Sequence, residues 1–156
     1  MRRKDREITD LSEIESILRR CRVCRLAMSD EEGLYIVPLN FGYRLEEGVL
    51  TLYFHSAPEG RKIAAITQNG AVAFEMDGGH QLVGGDTPCA YGYLYESVTG
   101  TGQAKLLAEP AEKIAALQMI MRQQSGKEFS FTAAMVQKVC VFQVTANRFT
   151  AKARRR

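Results

Sequence analysis

His55, Ser56, Arg61 and Lys62 fall within eight residues, and their types and order suit the holding of an anion. The segment reads Leu52-Tyr53-Phe54-His55-Ser56-Ala57-Pro58-Glu59-Gly60-Arg61-Lys62. An apolar strand ends, a small-residue turn follows, and a helix is expected from about Pro58 to Gln68, with Pro58 at or near its first position. The free N–H groups of a helix start, a hydroxyl, a guanidinium and an ammonium would converge there, which is the physical recipe for a phosphate. The plain alternative is an ordinary strand-to-helix connection carrying a surface lysine and arginine.

Other chemistry is sparse. Asn40 ends a strand beside Pro38, where its amide could hold a polar ring or simply make a turn. Ser97 alternates with Thr99 and Thr101 and by itself is a plain strand serine. His55 and His80 are the only histidines, and His80 sits in a glycine-rich stretch. Cys21 and Cys24 form a lone C-x-x-C where a helix runs into a strand, the reverse of a thioredoxin-type setting, with no second pair or nearby histidine for zinc. They are expected to be reduced, buried small hydrophobes, like Cys89 and Cys140. There is no nucleophile elbow, no P-loop and no dinucleotide fingerprint. Chemistry in this chain would belong to a bound phosphorylated cofactor.

The 156 residues are expected to form one domain, and 46% hydrophobic with 25% charged content is ordinary for a globular fold. No apolar run approaches the roughly 20 residues that cross a bilayer, and the basic start lacks a signal-peptide core, so a cytoplasmic protein is expected. The net charge of +3 comes from tails: residues 1–7 carry +2 and residues 152–156 carry +4. That leaves 13 basic against 16 acidic residues in the body, a mildly acidic surface that does not suggest a nucleic-acid groove.

The elements that must position these residues follow from periodicity. Asp10 caps a helix with Glu13 three residues on, and Leu11, Ile14, Ile17, Leu18 and Cys21 form its stripe. Cys24, Leu26 and Met28 alternate as a strand. Leu34 to Phe41 is a second strand, which Pro38 demotes to an edge, a bulge or a ligand-facing position. Arg44 to Gly48 is expected to turn. Val49 to His55 is a third strand, with Leu50, Leu52 and Phe54 toward the core and Thr51, Tyr53 and His55 toward a half-polar surface. Asn69-Gly70 stops the next helix, and Ala71 to Met76 is a fourth strand. Residues 77–87 read as a mobile loop or irregular hairpin. A long strand runs on from Tyr91, with Gly100 and Gly102 placed for a sharp bend or close backbone approach. Pro110 opens a helix that ends at Ser125-Gly126, and Ser130 is expected to cap a short one through Gln137. Lys138 to Thr145 and Arg148 to Lys152 would close the fold. Six or seven strands without regular strand–helix alternation point to a mainly β, antiparallel barrel with peripheral helices.

Four segments, residues 1–8, Tyr35-Ile36-Val37-Pro38-Leu39-Asn40-Phe41-Gly42-Tyr43, residues 52–62 and Tyr95-Glu96-Ser97-Val98-Thr99-Gly100-Thr101-Gly102, occur in this order. Together they resemble the 5-nitroimidazole-resistance (Nim-type) branch of the pyridoxamine 5′-phosphate oxidase-like flavoproteins, over nearly the whole chain. The resemblance implies a six- to seven-stranded split β-barrel, a homodimer, and flavin mononucleotide (FMN) at the dimer interface. It implies His55, Ser56 and Lys62 at the flavin phosphate and ribityl chain, with Tyr53, Ala57 and Arg61 in the same cofactor-binding segment. Arg61 need not point inward. Pro38, Leu39 and Asn40 would border the isoalloxazine ring, and Ser97 and Val98 would approach from the partner subunit. Where such relatives carry a tryptophan before the segment at Tyr95, this chain has Ala90-Tyr91-Gly92-Tyr93-Leu94 and no tryptophan. Either the substrate side of the pocket differs or a tyrosine stacks in its place.

The activity implied is an oxidoreductase that draws electrons from NAD(P)H and passes them to a small acceptor such as a nitroaromatic ring. The alternatives are a non-catalytic protein that binds flavin, or haem with His55 as axial ligand, and a module that has lost its cofactor.

Overall fold

The computed structural model describes residues 3–155, so Met1, Arg2 and Arg156, at the outer ends of the two basic tails, lie outside the described residues. A two-residue strand β1 (Glu7–Ile8) pairs with the last strand and leads into helix α1 (Leu11–Arg20). The Asp10 carboxylate accepts from the Glu13 N–H at 2.9 Å, the cap its position predicts, and Ile14, Ile17 and Leu18 are buried. Strands β2 (Val23–Asp30) and β3 (Gly33–Asn40) form a hairpin paired over its full length. β3 is a sheet edge, as Pro38 requires.

Arg44 does not begin a turn. Gly42–Glu46 is strand β4, and the chain reverses only at Glu47 and Gly48, both at positive φ. Gly42 is needed there because a Cβ would overlap the backbone of Met119 and Ile120 on the helix lying across it. β5 (Val49–Ser56) buries Leu50, Leu52 and Phe54 completely, as its alternation predicts. The opposite face is not half-polar surface. Tyr53 is buried in a second apolar cluster with Leu117, Ile120 and Val141, because the later helix covers that side, and of Thr51, Tyr53 and His55 only His55 emerges.

Helix α2 spans Arg61–Gln68 and starts later than Pro58 suggests. Its N-cap, Gly60, has φ +128, a conformation that side chains rarely adopt, so the turn extends to that glycine. β6 (Ala71–Val83) continues through the expected loop, with an irregularity between Gly78 and Gln81, and pairs with β7 (Gly92–Leu106) up to Val83 and Gly92. Two glycines there admit a bulge without ending the strand. Gly100 and Gly102 sit where β7 passes close to Phe149 and Thr145, the close approach their spacing predicts.

Helix α3 (Pro110–Ser125) ends on Gly126 in the left-handed region. Helix α4 (Ala133–Val136) is capped by Thr132 rather than Ser130. The two expected closing strands are one, β8 (Cys140–Arg154), with a register shift opposite Thr101 and Gly102.

The strands form one antiparallel sheet in the order β3-β2-β6-β7-β8-β5-β4, with β1 paired to β8. The two edge strands, β3 and β4, are joined through the fully buried Phe41 without pairing, so the barrel is split there. Leu26, Leu52, Phe74, Met76, Val98 and Val144 fill its interior, with Phe54 stacked on Phe142 at 5.1 Å. Buried residues of α1 and α2 join the same core. The outer face of β3, β2, β6 and β7 stays bare. Leu34 is 92% and Ile36 63% exposed there, beside the exposed Ala73, Thr99 and Thr101. No helix of the described residues is long and apolar enough to cross a membrane.

Candidate functional site

The turn that leaves β5 carries Ser56 and leads into the open start of α2. Ser56 pairs with Cys140 of β8, and its hydroxyl is buried with no hydrogen-bond partner. Burial pushes the Cys140 thiol up, and the ammonium groups of Lys113 and Lys62 oppose that rise. The Lys113 ammonium donates to the Val139 carbonyl at 3.1 Å. Lys62 has no ion-pair partner among the described residues. The Gly60 carbonyl accepts from the N–H groups of Ile63 and Ala64, which leaves those of Arg61 and Lys62 at the open start of α2. A cleft of about 440 Å³ lies alongside, lined by Pro58, Ile63, Leu106, Lys113, Lys138 and Cys140. His55 and Ala57 are exposed on the same turn.

Arg61 does not join this convergence. Its guanidinium donates to both Asp30 carboxylate oxygens at 2.6 and 2.8 Å, lies 3.4 Å from Glu32, and covers the Tyr35 ring at 4.8 Å. That pairing holds the Asp30 carboxyl below the usual carboxylate range. The acidic tip of the β2–β3 hairpin thus takes the guanidinium and leaves Lys62 as the uncommitted cation. Sequence adjacency could not separate the two.

At the other end of β3, Pro38 and Asn40 are exposed while Leu39 turns inward against the core. The Asn40 amide donates to the Arg22 carbonyl at 3.1 Å and to Gln124 Oε1 at 3.2 Å. Gln124 in turn donates to the carbonyls of Arg22 and Phe41. Sequence reasoning missed Gln124, which lies 84 residues from Asn40 and carries no local signal.

Ser97 is the second buried hydroxyl without a partner. It faces Asp77 and Lys152 across the sheet. Its neighbour Val98 is wholly inside the core, on a strand paired on both sides, so the structure presents neither its side chain nor a free backbone group at a surface. Ser56 registers with Cys140 and Ser97 with Lys152, twelve residues and about 40 Å apart along β8. Within one chain they do not meet. Tyr91 and Tyr93 stand exposed near the tip of the β6–β7 hairpin, with the His80 ring 5.8 Å from Tyr93 and His80 Nε2 2.8 Å from Asp77. Cys21 and Cys24 are buried free thiols. Burial pushes Cys21 up to about 11 and Cys24 higher still, so neither is a ready thiolate. Cys89 and Cys140 are not core residues: Cys89 is exposed and Cys140 half-buried.

Residues 10–153 match the family model of pyridoxamine 5′-phosphate oxidase. The chain belongs to the pyridoxamine 5′-phosphate oxidase family. Among solved structures of similar fold is a candidate 5-nitroimidazole antibiotic resistance protein from Bacteroides thetaiotaomicron VPI-5482. It is 36% identical over 94% of this chain and 86% of its own, with a TM-score of 0.80. The flavocytochrome Anf3 from Azotobacter vinelandii superposes at a TM-score of 0.79 with 17% identity, covering all of this chain and 72% of that one. An FAD- and haem-binding protein from Mycobacterium smegmatis does so at 0.76 with 14% identity, covering 95% and 73%. These last two show a shared fold. No curated protein matches the chain. As a member of this family, the chain adds a split barrel whose two partnerless hydroxyls lie on strands at opposite ends of β8.

Proposed function

We propose that this chain binds FMN between two copies of itself and acts as a flavin-dependent reductase of small acceptors, with nitroaromatic compounds the favoured class. The observation that carries the reading is the buried, partnerless Ser56 hydroxyl on the turn that leads into α2, whose second residue, Lys62, has no ion-pair partner among the described residues. A buried hydroxyl without a partner costs about 1–3 kcal/mol, and a ligand oxygen at that turn removes the cost. The residues fit a phosphate: Lys62 supplies charge, Ser56 a donor, and the first N–H groups of α2 further donors. His55, exposed on the same turn, is placed to donate to the phosphate or the ribityl chain. From Tyr35, near the phosphate turn, to Asn40 the edge strand runs about 17 Å, a length that suits an extended nucleotide with its ring toward Pro38 and Asn40.

Ser97 supports the second copy. It cannot reach the Ser56 turn of its own chain, but from a partner it would complete the site. The bare face carrying Leu34 and Ile36 is the surface such a partner would cover. When bound, FMN supplies the electron transfer from NAD(P)H to the acceptor. The chain's own part is to hold the phosphate, fix the ring against the β3 edge and exclude water by pairing.

The test is turnover. The full chain, loaded with FMN and given NADH or NADPH and a nitroaromatic acceptor, is expected to bleach the nitro chromophore in proportion to bound flavin. Flavin-loaded protein that consumes neither reductant would sink the reductase reading and leave a binding protein. A haem Soret band retained by wild-type protein and lost in His55→Ala, without flavin uptake, would favour the haem alternative.

A further inference from the structure

We propose that Asn40 is locked as a pure hydrogen-bond acceptor and recognises the imide N–H of the flavin ring, with Gln124 as the residue that sets its orientation; this rests on the flavin reading above. The lock follows from groups that can only accept. The carbonyls of Arg22 and Phe41 have no proton to give. Gln124 lies against both, at 3.1 and 2.9 Å, so its Nε2 must face them and its Oε1 must face away. Asn40 lies 3.2 Å from that Oε1 and 3.1 Å from the Arg22 carbonyl, so both contacts need its amide nitrogen. Both N–H bonds of Asn40 are then spent. Flipping the amide would set oxygen against oxygen at two contacts. What Asn40 can show a ligand is Oδ1, on an exposed position two residues beyond Pro38.

The lock is anchored well below the surface. Gln123, beside Gln124, is buried and donates to the carbonyls of Leu18 and Cys21 at 2.8 and 2.7 Å. The Arg22 guanidinium donates to the carbonyls of Gln123 at 2.5 Å and Arg19 at 3.1 Å. The end of β3 is therefore tied to the C-terminal turns of α1 and α3, where carbonyls lack intrahelical donors. This suits a residue that must present one atom of fixed polarity.

Polarity names the ligand atom. The oxidised isoalloxazine ring carries a single ring N–H, at N3, and its other polar ring atoms accept. A locked acceptor has one complement there. A haem macrocycle with its iron in place has no N–H to offer, so Asn40 also discriminates between the two cofactor classes.

The experiment compares FMN with its N3-methyl analogue by fluorescence titration of the full chain. Wild-type protein is expected to bind FMN about tenfold more tightly than the methylated flavin, as a missing partner for a fixed acceptor demands. Asn40→Ala should bring the ratio close to one. Gln124→Leu frees the amide to rotate and should shrink the ratio while FMN binding itself falls less. A merely structural role would not move a ratio between two ligands. Should a variant fail to fold, the wild-type ratio alone decides. Equal binding of the two flavins by wild-type protein overturns the proposal, as does a ratio that persists in Asn40→Ala. A wild-type ratio in Gln124→Leu overturns the role of Gln124. A shifted flavin potential in Asn40→Ala with an unchanged methyl ratio also overturns it, because it marks contact at N5, where the N–H exists only after reduction. If neither flavin binds at high micromolar concentration, the flavin reading fails and this assignment fails with it. Flavin binding without discrimination fails this assignment alone.

Discussion

Ser56 and Ser97 keep buried hydroxyls without partners in a chain whose described residues otherwise satisfy their buried side-chain polar atoms. Such a group has no bond to lose when it is removed. Ser56→Ala should therefore leave the ligand-free protein no less stable than wild type, and more stable by up to the about 1–3 kcal/mol that the unpaired hydroxyl costs. The same change should weaken FMN binding several-fold. A large drop in melting temperature, or unchanged FMN affinity, would place the hydroxyl's role elsewhere. Lys62→Ala should weaken FMN roughly ten- to a hundredfold, since a charge-assisted contact is worth about 1.5–3 kcal/mol. Arg61→Ala should cost FMN less, because its guanidinium is held by Asp30; titration of the two variants side by side separates them. At this scale the types and order of His55, Ser56 and Lys62 marked the turn after β5, and the structure adds that the Ser56 hydroxyl there is buried without a partner. The sequence could not show which cation is free. That depends on Asp30, about thirty positions away, and on how tightly a hairpin tip closes over α2.

Among the elements, α1, β7 and the end of β8 are held together by one buried carboxylate. Arg20 donates to both oxygens of Glu96 at 2.5 and 2.6 Å, and Arg155 lies 3.6 Å away while also pairing with Glu13. The Arg20 guanidinium, with Arg155, holds the Glu96 carboxyl below its ordinary value. A depressed carboxylate adds stability that is present above its unfolded-state pKa and is lost as pH falls through the folded value. Wild-type protein should thus lose stability on acidification below about pH 4.5, where unfolded glutamates protonate. Glu96→Gln should be less stable at neutral pH and show a shallower loss over that range in denaturant melts. Parallel curves for the two proteins would contradict the role of this pair. The core strands were legible because Leu50, Leu52 and Phe54 keep a strict period of two. Strand β4 was not, since five residues with two charges look like a turn until α3 is seen lying on Gly42. Tyr53 misled for the same reason: periodicity gives its face, but only α3 decides that the face is covered. The glycines at 78 and 79 signalled a break and produced a bulge.

The whole molecule leaves one barrel face bare and sets the two partnerless hydroxyls against opposite ends of β8, an arrangement that the proposed dimer would complete. Replacing Leu34 and Ile36 together by glutamate should shift the mass in solution from a pair of chains to one 17.4 kDa chain and weaken FMN binding, because Ser97 of the second copy would be lost. Both side chains are exposed, so the fold itself should survive the change. Antiparallel topology and peripheral helices could be inferred from strand count and the lack of strand–helix alternation. A site shared between copies is an expectation of the resemblance alone; what the fold adds is that Ser56 and Ser97 register with opposite ends of β8, at Cys140 and Lys152. The most direct test of the account is a titration of the wild-type chain with FMN, with mass measured by light scattering at each end. The account predicts saturation at one FMN per chain with a dimer mass throughout. Absence of uptake at high micromolar FMN, or full uptake by a protein that stays monomeric, would contradict it.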